Sequence, residues 1–313
     1  MNLAVAVKEL VENSIDAGAK IVEIKIRNYG EGGFEVVDNG SGISEENFAG
    51  ITAKHHTSKL KEFSDLESIK TFGFRGEALS SLCALSNVSV TTRHGSSEHG
   101  TKLVYDHDGN VTKKTICARN IGTTVSVNDF FITLPVRRGE FLKNYKKDFG
   151  KMILLLQEYC LVLTDIKIVC TNQPKSGAKQ TVLLTNGCNV MENIISIFGA
   201  KQAKDLIKIE SPVENETGVY TQQSLADDDS ILDIKQSELD ELNKANFKVE
   251  GFISNIEHTA RSSKDRQFFY VNSRPVELRT ISKLTNDIYH RYNLKQFPFV
   301  YLNIKMDQSS VDV

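Results

Sequence analysis

The chain has 313 residues, enough for about two domains at roughly 150 residues each. Apolar residues are 40% and charged residues 25%, with only 5 prolines, which excludes a disordered, collagenous or low-complexity chain. Its 38 basic and 40 acidic residues leave a formal charge of −2, so any affinity for nucleic acid must come from a local patch.

In chain order, the spacing of Val7, Leu10 and Val11 predicts a helix over 3–15 that stops near Ala17-Gly18, where glycine can take the left-handed cap. Val22, Ile24 and Ile26 alternate with Glu23 and Lys25 as in a half-buried strand. Gly30 to Gly33 reads as a turn, and a second strand, Phe34 to Val37, runs into Asp38-Asn39-Gly40-Ser41-Gly42. Ser44 suits the cap of a short helix, and 52–72 is polar, Lys-rich and reads as a mobile loop. Gly73-Phe74-Arg75-Gly76 opens a helix over 77–85, followed by strands at 87–93, 101–105, 111–116 and 123–128. Around Arg137 to Lys151 the composition turns basic, and a long helix is expected over 148–163 before a strand at 166–171. The domain boundary is placed near Leu134-Pro135, giving domains 1–134 and 135–313. Strands at 180–185, 247–254, 266–272 and 298–306 then alternate with helices near 190–198 and 278–292, a two-layer pattern. The acidic stretch 214–241 is expected to be a disordered loop.

Five cysteines, Cys83, Cys117, Cys160, Cys170 and Cys188, form no C-x-x-C pair, which predicts reduced thiols in a cytosolic or nuclear compartment. The most apolar stretch, 152–163, carries Gln157 and Glu158 and is too short to span a bilayer, so no membrane partner is expected. His55 and His56 are adjacent on a loop without cysteine or spaced carboxylates, a poor basis for a zinc site. No G-x-x-x-x-G-K-[ST] sequence exists, and Gly40-x-Gly42-x-x-Glu45 lacks the third glycine of a dinucleotide fingerprint.

Four other pieces recur in a fixed order: Glu9 and Asn13 at i, i+4; Asp38 to Gly42; Gly73 to Leu79; and Gly122-Thr123-Thr124. Together they resemble the superfamily of gyrase, heat-shock chaperone, histidine-kinase and MutL (GHKL) ATPases. Lys8 to Ala19, Lys54 to Lys59, Phe72 to Cys83 and Asp265 to Asn272 are similar to the eukaryotic PMS branch of the MutL mismatch-repair family. The resemblance spans nearly the whole chain. It implies an α+β fold: a two-layer α/β sandwich of Bergerat type, then a smaller α/β domain of ribosomal-protein type. The implied function is an ATP-binding, slowly ATP-hydrolysing, Mg²⁺-dependent switch for DNA mismatch repair. Expected partners are a MutL-homologue subunit in a heterodimer, DNA and MutS-type mismatch-recognition proteins, in the nucleus.

The same resemblance gives the residues roles. Glu9 is the expected general base and Asn13 the Mg²⁺ ligand, both on one helical face about 6 Å apart. Asp38 is expected to accept from the exocyclic adenine amine, Gly40 and Gly42 to let the backbone approach the base, and Thr123 or Thr124 to close the adenine side. Gly73, Phe74, Arg75, Gly76, Glu77, Ala78 and Leu79 would bind the phosphates with free N–H groups, and Thr57, Ser58 and Lys59 would fold over them as a lid. For DNA, Arg261, Lys264, Arg266, Arg274 and Arg279 are preferred over the basic run at 137–151, where Glu140 and Asp148 interrupt the positive charge. Against the family pattern, an N-terminal arm, a lysine reaching the γ-phosphate and the dimerisation and endonuclease domain are missing. The expectation is therefore a truncated form without nuclease activity. The alternative is a catalytically silent scaffold that binds ATP or DNA.

Overall fold

A computed structural model describes residues 1–53, 77–210, 247–256, 261–294 and 296–307. They form two compact units, Met1–Ile197 and Phe198–Val313. The expected lid residues Thr57, Ser58 and Lys59, the motif residues Gly73, Phe74, Arg75 and Gly76, the histidines at 55 and 56 and the acidic stretch 214–241 lie outside the described residues. Among the described residues no helix is long and apolar enough to cross a membrane.

The first unit opens on helix α1 (Leu3–Asp16), whose first turn is capped by the Asn2 side chain accepting the Val5 N–H at 2.9 Å. Its apolar face, Leu3, Ala6, Val7, Leu10 and Val11, is buried, and Gly18 reverses the chain at a φ of 73°. Strands β1 (Ile21–Arg27) and β2 (Phe34–Asp38) form an antiparallel hairpin that buries alternate residues. Helix α2 (Ala78–Leu85), strands β3 (Asn87–Arg93), β4 (Gly100–Tyr105), β5 (Val111–Cys117) and β6 (Gly122–Asn128), helix α3 (Pro135–Val162), strands β7 (Lys167–Gln173) and β8 (Gln180–Thr185), and helix α4 (Val190–Phe198) follow.

One eight-stranded sheet results, in the order β5-β4-β3-β6-β2-β1-β7-β8. A single core unites its inner face with α1, α2 and α3. The outer face carries half-exposed Glu23, Lys25, Glu35 and Ser126, so this is a two-layer sandwich, as expected.

The expected boundary at Leu134-Pro135 falls inside this unit. All neighbouring strands are antiparallel except β1 and β7, which pair in parallel from Ile21 with Lys167 to Arg27 with Gln173. The chain must pass from β6 across β2 and β1 to reach β7, and α3 supplies that long crossover. The helix therefore begins at Pro135, well before the expected Asp148. The basic residues of 137–147 form its solvent face, while Phe141, Tyr145, Phe149, Met152, Leu156 and Cys160 make one stripe into the core.

The second unit holds helix α5 (Ala200–Lys204), strands β9 (Leu206–Glu210), β10 (Lys248–Ser254), β11 (Gln267–Val271) and β12 (Arg274–Pro275), helix α6 (Arg279–His290) and strand β13 (Val300–Lys305). Its sheet runs β12-β11-β13-β10-β9, with β11 and β13 parallel across α6. Phe268, Tyr270, Phe299 and Tyr301 fill its interior, and Tyr270 and Tyr301 are in ring contact at 5.1 Å. Asn272 and Ser273, at φ 49° and 65°, make the tight turn between β11 and β12.

Candidate functional site

Asp38 ends β2 and is buried, a costly place for a carboxylate unless its oxygens are satisfied. Its Oδ1 accepts two backbone N–H groups, from Gly40 at 2.9 Å and Thr123 at 3.1 Å. Its Oδ2 lies 3.1 Å from the Ser14 hydroxyl, which is also 3.0 Å from the Leu10 carbonyl. Burial pushes the Asp38 carboxyl above its ordinary range, and the hydrogen bonds from Gly40, Thr123 and Ser14 offset only part of that rise. A carboxylate oxygen has two acceptor positions. Oδ1 has both in use, so Oδ2 is the oxygen with capacity for a further donor.

The turn after Asp38 packs directly on α1. Ser41 N–H donates to the Ala17 carbonyl at 2.9 Å, and a Cβ on Gly40 would meet that oxygen at 2.8 Å. Gly42, at φ +74°, leaves room for a Cβ only 2.0 Å from the Arg93 carbonyl oxygen, and Gly122, at φ +128°, only 2.2 Å from that of Asp38. Gly40 and Gly42 lie against the protein's own backbone, so their smallness lets the turn pack between α1 and the ends of β3 and β6. Gly42→Ala is expected to cost roughly 2–4 kcal/mol in denaturant unfolding, combining a left-handed φ with a backbone clash.

Thr123 and Thr124 point to opposite sides of β6. Thr123 is the one at Asp38: buried, donating its N–H there, with its Oγ1 3.1 Å from that of Thr92. Thr124 instead receives a hydrogen bond from Arg119. Arg119 had no signal in the sequence, yet its Nε donates to the Gly122 carbonyl at 3.1 Å and its Nη2 to the Asp38 carbonyl at 3.2 Å, tying the two strand ends together.

Glu9, Asn13 and Ala17 follow each other at i, i+4, i+8, so the α1 row that meets the Asp38 turn at Ala17 carries Asn13 about 6 Å and Glu9 about 12 Å back along the axis from Ala17. Asn13 is half-buried, and the Glu9 side chain is 30% exposed. Glu9 Oε1 accepts from Lys8 Nζ at 2.9 Å, and the same ammonium lies 3.0 Å from Oε2 of Glu12, a buried carboxylate. The other Glu12 oxygen accepts the hydroxyl of Tyr159 on α3. Of the third motif, Glu77 is the N-cap of α2 and Ala78 and Leu79 form its first turn, all half-buried.

Several described cationic residues of the second unit engage partners within it. Arg266 donates to Gln202 at 2.8 Å and stacks 4.7 Å over the Phe198 ring, Arg261 pairs with Asp265, and Arg279 with Glu277. Lys264 is exposed, and Arg274 sits half-buried on β12 opposite Val271.

With this geometry in place, residues 1–127 match the family described as histidine kinase-, DNA gyrase B- and HSP90-like ATPase, and residues 228–313 match the C-terminal domain of DNA mismatch repair protein. The mismatch repair endonuclease PMS2 of Mus musculus is 47% identical over 315 residues, covering 100% of this chain and 35% of the mouse protein. The DNA mismatch repair protein PMS1 of Saccharomyces cerevisiae is 41% identical over 320 residues, with 100% and 35% covered. The chain thus spans about a third of the length of these curated relatives. Among solved structures, the N-terminal domain of a DNA repair protein superposes with a TM-score of 0.79 at 38% identity, covering 98% of this chain and 84% of that one. The Aquifex aeolicus MutL ATPase domain complexed with ADP has a TM-score of 0.64 at 20% identity, covering 97% and 91%, a likeness of fold.

Proposed function

Because this chain belongs to the MutL family of DNA mismatch-repair proteins, on its PMS branch, we propose that its first unit binds and slowly hydrolyses ATP with Mg²⁺, as a switch for mismatch repair. The observation that carries this reading is Asp38: a buried carboxylate with Oδ1 filled by backbone N–H groups and Oδ2 able to accept one more donor. An adenine amine is such a donor, and guanine presents a carbonyl at that position, which Oδ2 would repel. Thr123 closes the adenine side, and the first turn of α2, Glu77 to Leu79, offers N–H groups to the phosphates.

The α1 row supplies the rest. Asn13 suits Mg²⁺, a hard cation that accepts one amide oxygen and fills its other positions with water and phosphate oxygens. Among the described residues no cluster of three or more His, Cys, Asp or Glu competes for it. Bound there, Mg²⁺ supplies charge neutralisation for the triphosphate. Glu9 orients a water and takes its proton through a carboxylate oxygen. In the full-length protein, nucleotide state would then govern association with a MutL-homologue subunit and clamping of DNA, in company with MutS-type proteins in the nucleus.

Calorimetric titration tests the reading. The wild-type chain should bind Mg²⁺-ATP in preference to Mg²⁺-GTP, and Asn13→Ala should weaken Mg²⁺-ATP binding roughly tenfold or more while leaving metal-free ATP nearly unaffected. Absence of a binding isotherm for the wild type, or equal Mg²⁺-ATP affinity in both proteins, would refute it.

A further inference from the structure

Glu12 has no part in the chemistry above, yet it is a carboxylate 4% exposed inside the first unit. A buried acid is tolerated when its oxygens are taken up, and both of these are, by the Tyr159 hydroxyl from α3 and by Lys8 Nζ at 3.0 Å. The chain of contacts continues beyond that pair. Lys8 Nζ also donates to Glu9 Oε1 at 2.9 Å, so a continuous line runs from Tyr159 on α3 through Glu12 and Lys8 to Glu9. Residues 8 and 12 are one helical turn apart, which lets a single ammonium reach both carboxylates without leaving the α1 surface.

Each contact limits the next. The Tyr159 hydroxyl and its buried surroundings hold Glu12 in place. Glu12 in turn fixes a lysine that would otherwise wander on four rotatable bonds, and the fixed ammonium holds one oxygen of a half-exposed glutamate. Its other oxygen takes no part in this line of contacts. We propose that Tyr159, Glu12 and Lys8 are positioning residues for Glu9, an anchor from α3 that holds the general base in its reactive orientation. The inference rests on the ATPase reading above, because Glu9 has a base to be only if ATP is hydrolysed here.

Steady-state ATPase measurements on the 313-residue chain, with nucleotide affinity measured beside them, separate the possibilities. Lys8→Met should lower kcat roughly 10- to 100-fold with ATP affinity within about twofold of wild type, and Lys8→Arg should recover most of the rate, because a guanidinium can reach both carboxylates. Tyr159→Phe, which removes only the hydroxyl and keeps the ring in the core, should lower kcat roughly three- to tenfold, again without loss of affinity. A Lys8→Met or Tyr159→Phe protein that turns over at the wild-type rate would overturn the proposal. So would parallel loss of kcat and affinity in both, the pattern of general damage to the fold. Failure of the wild-type chain itself to hydrolyse ATP is read before any variant is made, and it removes the ATPase reading and this inference together.

Discussion

Asp38→Asn is expected to weaken ATP binding about 100-fold, close to 2.7 kcal/mol, while the turn that carries it stays folded. The amide oxygen can remain under the N–H groups of Gly40 and Thr123, which keeps the backbone of the turn satisfied. The amide nitrogen then occupies the Oδ2 position, and there it presents hydrogens to a purine amine that also presents hydrogens. The same substitution creates a donor where the natural residue has an acceptor. Inosine triphosphate, with a carbonyl in place of the adenine amine, should therefore lose much less affinity than ATP, or gain some. The ratio of ATP to inosine triphosphate affinity is the measurement. A ratio unchanged between wild type and variant would mean that Asp38 does not read the purine.

Glu9→Ala is expected to reduce kcat by roughly 100- to 10,000-fold with ATP affinity within about threefold of wild type. On the proposed reading Glu9 acts on water, whereas binding energy comes from Asp38, Asn13 and the N–H groups of α2. Stability should change little, since the side chain is 30% exposed and Lys8, with which it pairs, keeps Glu12. Single-turnover assays with labelled ATP check it, because they register hydrolysis apart from product release. Loss of affinity in step with kcat would place Glu9 among the groups that hold nucleotide instead.

Much of the architecture was legible in the sequence because its cause is local. The alternation through Val22, Ile24 and Ile26 and the spacing of Val7, Leu10 and Val11 record which side of a strand or helix meets the core, and β1 and α1 follow from them. The N-terminal half of α3 did not follow. Its basic residues dominated the reading of 137–151, although Phe141, Tyr145 and Phe149 already continue the stripe of Met152, Leu156 and Cys160. Short β9 and α5 carry too few residues for a period to register.

The site shows the same division. Asp38 with its glycines and the Glu9–Asn13 spacing are contiguous in sequence and could be read. Ser14, Thr92, Arg119 and the Tyr159–Glu12 pair become partners only once distant segments meet, as when Thr92 and Thr123 face each other across β3 and β6. No local pattern encodes such a meeting. Nor could a local pattern show that Asp265, Glu277 and Gln202 engage Arg261, Arg279 and Arg266.

The parallel union of β1 with β7 also sets the order in which the molecule can be made. Strand β1 is synthesised well before one of its two neighbours, which starts at Lys167 and follows about 7–30 s later at ordinary elongation speeds. Until then the nascent hairpin of β1 and β2 shows a row of unsatisfied amides and carbonyls on one side, the kind of template on which stray strands add. Vectorial synthesis thus leaves that edge of the hairpin waiting for the strand that completes it.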